Sequence, residues 1–331
     1  MCGAPGQPIH TGLADRLHGT PGRWDMVRCS SQRCGVAWIV PAPSDDTLAQ
    51  AYRDYYTHAE SAPAGTARRI YHQARAAYLG TPGAGGLQHA MLRLLGALLS
   101  LSPHRRAAFL ASAMWLPARP GATLLEVGCG NGALLDGLRA LGWRCTGLEI
   151  DPRAVAVARR RGLDVGCGTL RADSFAPESF DAVVMSHVIE HVRDPRELLA
   201  RCLRVLKPGG RLSLLTPNLR SFGHRRFGAD WLHLDPPRHL HLFTAEALAE
   251  AVRDAGFGPA RAFTTVRDAR FTLGGSISLR ELGRYRIGEL PARIAVRGRM
   301  LAWLAWFRML LDPRSGEEIV VLADRPGDDP R

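Results

Sequence analysis

The chain has 331 residues, 46% of them hydrophobic and 22% charged, a globular composition that excludes a disordered or fibrous protein. Basic residues outnumber acidic ones 43 to 31, giving a net charge of +12 and an isoelectric point near 10.1. That excess would suit an anionic polymer, but Lys207 is the sole lysine and no basic run is interleaved with aromatics, so nucleic acid is not an expected partner.

Residues 1–45 are rich in Gly, Pro and Cys and show little periodicity. MCGAPGQPIH lacks the charged start and apolar core of a secretory leader. No apolar run approaches the roughly 20 residues of a bilayer span, and seven cysteines, an odd number, suit a reducing compartment. A cytoplasmic protein is expected. Residues 46–116 read as a helical region, with YRDYYTHAE and QHAMLRLLGALLS ending at the Pro-Gly punctuation of LPARPGA.

From 117 to 258 short apolar runs alternate with helical stretches, the pattern of βαβ units on a parallel sheet. Strands are predicted at 123–128, 144–150, 181–186 and 211–217, and Gly142, Gly162 and Gly209 stand where helices should close. Beyond 259 come a strand near RAFTTV, a helical insertion over about 268–315 and a last strand over about 318–324. The domain reading is therefore 1–45, 46–116 and 117–331.

Between the first such strand and its helix lies LLEVGCGNGA (124–133), with Gly128, Gly130 and Gly132 at alternate positions. Glycines there allow positive φ and let a ligand approach the backbone closely. The letters fit a pyrophosphate site of a nicotinamide oxidoreductase as well as a methyl-donor site. Glu126 separates the two. A carboxylate just before the turn would repel a pyrophosphate by several kcal/mol at a few ångströms, whereas it favours the sulfonium and ammonium of S-adenosylmethionine. Glu149, ending the next strand in GLEIDP, suits a ribose and does not discriminate. Asp151 before Pro152 reads as a helix N-cap.

LLEVGCGNG, GLEIDP, SFDAVVMSHVIEHVRDP, RVLKPGGRLSLLTPN and RHLHLFTAEALAEAVRDAGF, in this order, resemble the successive motifs of class I S-adenosylmethionine-dependent methyltransferases. The resemblance implies an α/β fold, a Rossmann-like seven-stranded sheet with helices on both faces and an antiparallel last strand. It also implies S-adenosylmethionine held by Glu126, Gly128, Cys129, Gly130, Gly132, Glu149, Ile150 and Ser186. Methyl transfer to an O, N or C nucleophile of a small-molecule, sugar or lipid-like acceptor would follow. An acid that often binds adenine after the third strand is replaced by Thr169, with Asp173 nearby. The rival readings are an NAD(P)-dependent oxidoreductase and a non-catalytic binding module.

In-line displacement from a sulfonium requires alignment and exclusion of water, and a hydroxyl or carbon nucleophile also needs a base, which histidine supplies near neutral pH. His187 and His191 in SHVIEHV, four apart on an expected helix start, would share a face with Glu190 beside them. They are candidates for packing against cofactor, for general base, or, with Glu190, for a divalent metal. Ubiquinone-pathway O-methyltransferases resemble this segment and have such a cluster, with an acid in place of His187. In WLHLDPPRHLHLF (231–243), alternation would put His239 and His241 on one face of an extended segment; the resemblance implies that this segment borders the acceptor pocket, which makes either histidine a candidate to face the acceptor. Asn218 and Arg238 are candidates for a polar acceptor.

Cys29 and Cys34 in RCSSQRCG, with Cys2, resemble an amino-terminal zinc ribbon with one ligand missing, which His10 or His18 could replace. Cys129, Cys145, Cys167 and Cys202 read as small core fillers. RIAVRGRMLAWLAWFRMLL (293–311) is apolar around most of its circumference with arginines interspersed. It is expected to be buried against 46–116 or to lie on a membrane surface.

Overall fold

The computed structural model describes residues 3–31, 34–53, 65–81 and 85–327. Three antiparallel strands, β1 (Gly6–Leu13), β2 (Trp24–Cys29) and β3 (Ala37–Val40), open the chain. So small a sheet cannot bury a core alone, and it is not the separate unit the sequence suggests. β3 pairs with β9 (His241–Leu242) from the later part of the chain, Ala37 opposite Leu242. Leu13, Met26 and Ala37 share a buried cluster with Phe227, Trp231 and Leu273.

Helices α1 (Asp45–Tyr52), α2 (Thr66–Tyr78), α3 (Leu87–Leu99) and α4 (Pro103–Ala111) occupy the expected helical region. Then β4 (Thr123–Val127), α5 (Ala133–Ala140), β5 (Arg144–Glu149), α6 (Pro152–Arg160), β6 (Asp164–Cys167), β7 (Phe180–Ser186), α7 (Pro195–Val205) and β8 (Leu206–Pro217) alternate along the chain. Two of these helices start as their sequences dictate. Asp151 accepts from the Arg153 N–H at 2.9 Å and Asp194 from the N–H groups of Arg196 and Glu197, each followed by proline at the first helical position.

After α8 (Phe222–Phe227) and α9 (Ala245–Asp254), β10 (Arg261–Thr265) and β11 (Glu318–Asp324) complete the sheet. Its order is β10-β11-β8-β7-β4-β5-β6, with β11 antiparallel to both neighbours and the remaining pairs parallel. This is the seven-stranded order, antiparallel last strand included, that the resemblance implies. Apolar clusters cover both faces, Leu125, Val183 and Leu212 on one and Leu124, Val184 and Leu215 on the other, because successive side chains on a strand alternate sides.

Between β10 and β11 the chain inserts a hairpin of α10 (Ala269–Leu282) and α11 (Ala292–Leu311). A Cβ at Gly298 would lie 3.0 Å from the Arg270 carbonyl oxygen and the Gly274 Cα, so glycine sets how closely the helices pack. The buried face of α11, Ile294, Gly298, Ala302 and Ala305, is narrow. Its principal partner is α10, not residues 46–116, and most of its circumference is open. Cys129 and Cys202 are buried as expected, while Cys145 is half-buried and Cys167 is exposed at the end of edge strand β6.

Candidate active site

Gly128, Gly130 and Gly132 all adopt left-handed φ, +72°, +54° and +77°. A Cβ would crowd Val188 Cγ2 at Gly128 and Leu163 Cδ1 at Gly132, so a side chain there would be strained in backbone conformation and would displace its neighbours. Beside this turn, Glu149 Oε2 accepts from the Gly130 N–H at 2.8 Å and Oε1 from the Asp151 N–H at 2.9 Å. Each carboxylate oxygen keeps lone-pair capacity for a ribose hydroxyl. Ile150 next to it is 69% exposed, an apolar side chain presented where a nucleoside would pack.

Glu126 is buried, and its Oε2 has no hydrogen-bond partner among the described residues. Burial first, then the Glu149 charge, pushes its carboxyl well above the usual carboxylate range. A buried, unpartnered acid under the turn fits a cationic ligand, and burial also keeps the Cys129 thiol protonated. Ser186 ends β7, beside the end of β4. The sequence-predicted donor residues thus meet at the carboxyl ends of β4, β5 and β7, where open α/β sheets bind ligands.

The histidines behave differently. His187 has φ +55° and Nδ1 lies 3.1 Å from Glu190 Oε1, Nε2 2.9 Å from Glu318 Oε1. Burial alone would depress this imidazole, but the hydrogen bonds with Glu190 and Glu318 raise it to about 9. It is therefore an imidazolium near neutral pH, which corrects its candidacy as a base. The Arg267 Nη2 contact at 3.3 Å is not a hydrogen bond to that ring, since a protonated ring has no acceptor; both groups donate to Glu318 Oε1, Arg267 from 2.8 Å. Burial would raise Glu190 and Glu318, but His187 holds the first at about 2 and Arg267 with His187 the second.

Residues 187–191 form a turn, not a helix start, because His187 is left-handed and Asp194-Pro195 begins α7 later. His187 and His191 consequently do not share a helical face. His191 is driven down to about 4 by burial and the nearby His239, and its Nδ1 is 3.0 Å from the Arg238 carbonyl. His239 Nδ1 donates to the His233 carbonyl at 2.7 Å, and the His191 and His239 rings are 4.7 Å apart. His233 stacks 5.9 Å from His187 and is lowered to about 3 by burial and that neighbouring charge.

Ligand atoms of Glu190, His191 and His239 lie within 4.8 Å of one another, so His239 replaces His187 in the expected metal grouping. Donation of Nδ1–H to the His233 carbonyl leaves Nε2 as the lone-pair nitrogen of His239, the usual outer support of an imidazole ligand, while His191 Nδ1 also lies 2.8 Å from the Tyr52 hydroxyl.

His241 is apart from this group, its Nδ1 3.2 Å from the Val192 carbonyl and its ring against Phe243. The predicted alternation fails because β9 begins only at His241. Arg238 is fully buried and bonded to Asp15 and Asp235, and Asn218 spends its amide on the carbonyls of Arg314 and Gly316. Neither is available to an acceptor; both tie loops together. Cys29 ends β2 and Cys34 lies on the turn toward β3, while Cys2 lies outside the described residues. His10 Nε2 is 2.8 Å from His224 Nε2.

A cavity of about 300 Å³ opens between α2, α4, the first turn of α5 and the end of β7. Arg75, Ser112, Ser186, Arg267 and Asp268 supply its polar lining. Asp268 is its one carboxylate, raised above its ordinary range by burial, held 2.6 Å from Arg267 Nη2 and with 48% of its side chain open. Arg75 has no hydrogen-bond or ion-pair partner for its guanidinium among the described residues, and burial lowers its pKa. Sequence reasoning missed Arg75, Arg267 and Asp268. In an arginine-rich chain nothing local distinguishes them.

Residues 100–260 match a family model described as a methyltransferase domain. The chain is similar to a ubiquinone biosynthesis O-methyltransferase of Cereibacter sphaeroides, 35% identical over 151 residues, 42% of this chain and 61% of that protein. It is similar to another of Xanthomonas oryzae pv. oryzae, 38% identical over 132 residues, 37% of this chain and 55% of that protein. The match spans about six-tenths of these curated relatives at most. A solved S-adenosylmethionine-dependent methyltransferase of Thermotoga maritima is 22% identical, covering 72% of this chain and 100% of that one with a TM-score of 0.46.

Proposed function

We propose that this chain, whose residues 100–260 belong to the methyltransferase-domain family, transfers the methyl group of S-adenosylmethionine to an oxygen of a small acceptor. The observation that carries this reading is Glu126, a buried acid with an unpartnered oxygen beneath three left-handed glycines. It complements a sulfonium and ammonium, and it would oppose the pyrophosphate of a nicotinamide cofactor. The choice of oxygen rests on the O-methyltransferase names of the similar proteins.

When bound, the donor supplies a methyl group on a good leaving group, so the protein's task is alignment and proton removal. Glu149 receives the ribose hydroxyls and Ile150 packs against the nucleoside. Asp268 takes the acceptor's proton, being the carboxylate of the cavity, with burial raising its carboxyl above the ordinary value. Arg75 holds an anionic substituent of the acceptor. Glu190, His191 and His239 would hold a divalent ion, which would polarise an acceptor oxygen. The imidazolium of His187, pinned by Glu190 and Glu318, keeps the wall between these groups fixed.

Methyl-labelled S-adenosylmethionine incubated with the protein and a cell extract, then fractionated by chemical class, tests the reading. Label is expected in the small-molecule or lipid fraction and absent with Glu126→Ala. No binding of S-adenosylhomocysteine by calorimetry would overturn it. Asp268→Asn should lower turnover about a hundredfold or more with donor affinity unchanged. Full activity of that variant would remove Asp268 as the base.

A further inference from the structure

Among the described residues, every exposed large apolar side chain but one lies on the helices before β4 or on the α10–α11 hairpin; the exception is Ile150 at the donor site. On α3 and just beyond it they are Leu87, Met91, Leu94, Leu98 and Leu101. On α11 they include Val296, Met300, Trp303, Phe307 and Leu310. Both sets step by four and three residues, which aligns them in one stripe along each helix. The stripes are substantial, with Leu101 79% and Met300 66% exposed.

The charges around the stripes have one sign. No acidic residue occurs between Glu60 and Glu126 or between Glu289 and Asp312. Arg93, Arg105, Arg106, Arg293, Arg299 and Arg308 have no ion-pair partner for their guanidinium groups among the described residues. A second copy of the chain laid on this surface would set arginine against arginine with no carboxylate in either stripe. An anionic lipid surface offers what the stripes lack, phosphates for the arginines and an acyl boundary for the leucines and aromatics.

α4 follows α3 directly in the chain and touches α11. His104 Nε2 is 3.0 Å from the Ala302 carbonyl and its ring is 5.0 Å from that of Trp303. From that contact α4 runs to Ala108, Ala111 and Ser112, which line the cavity. Eight helical residues span about 12 Å, so the apolar surface and the cavity are joined by one short helix.

We propose that α3 and α11 seat this protein on an anionic bilayer surface, lying on it without crossing it. No helix of the described residues is long and apolar enough to cross a membrane. The inference does not rest on the methyl-transfer reading, because vesicle binding needs neither donor nor acceptor.

Flotation of the full chain with vesicles of phosphatidylglycerol and phosphatidylcholine, against phosphatidylcholine alone, tests it. The protein should rise with the anionic vesicles, stay below with the neutral ones, and detach as salt is raised. Trp303→Glu with Phe307→Glu, and separately Leu94→Glu, should lower the bound fraction about tenfold while S-adenosylhomocysteine affinity is kept. Protein left at the bottom with anionic vesicles overturns the proposal, as does binding indifferent to salt and to these substitutions. A stable dimer that the same substitutions dissociate would assign the surface to a second copy instead.

Discussion

On the proposed donor side, Glu126, the three turn glycines and Glu149 come from two neighbouring strand ends, and the site is made of backbone shape and two local carboxylates. On the proposed acceptor side, His187, Glu190, His233, His239, Arg267, Asp268 and Glu318 come from the ends of β7, β10 and β11 and from the loops after β7 and β8. The first is a contiguous motif that folds wherever its strand and helix fold. The second is one electrostatic object, in which each charge is tolerable in the interior because another faces it. Damage should therefore be graded on the donor side and collective on the acceptor side.

The largest effect expected is on stability. Glu318→Gln leaves His187 and Arg267 as buried cations facing one fewer carboxylate, and should cost about 3–5 kcal/mol in urea unfolding. A loss no greater than that of an exposed ion pair would mean the acceptor wall is not a unit. Glu149→Ala should act locally. It should weaken S-adenosylhomocysteine by more than about tenfold, ~1.4 kcal/mol, with little change in unfolding midpoint. Unchanged calorimetric affinity would show that the ribose is held elsewhere.

The remaining effect is on pH dependence. His187 is raised in the folded protein from 6.5 to about 9, so its contribution is complete below the unfolded value and is lost as pH rises through the folded one. Urea midpoints should fall between about pH 6.5 and 9, and His187→Gln should flatten that limb. Unchanged midpoints across this window would mean that the imidazolium contributes nothing to the acceptor wall.

The contrast also explains what could be read in advance. The βαβ alternation, the glycine turn and the capping of α6 and α7 are local, and periodicity and short-range hydrogen bonds determine them. The inserted hairpin and last strand were legible for the same reason. Short elements were not. β6 has four residues and β9 two, and both exist because a neighbouring strand completes their hydrogen bonds. β1 to β3 carried no apolar period because their core is shared with later segments.

His187 and Arg238 mark the limit most sharply. As letters, one is a base four residues from a second histidine and the other an anion receptor. In the fold His187 is an imidazolium between two acids, and Arg238 is a buried strut to Asp15. The sequence by itself determined the shape of the glycine turn and the carboxylate beside it, because glycine conformation and an adjacent carboxylate are properties of a few consecutive residues. Only the tertiary structure decided which histidines stay neutral, which arginines are spoken for and which carboxylate opens into the cavity. Protonation and availability depend on charges brought within a few ångströms from distant parts of the chain.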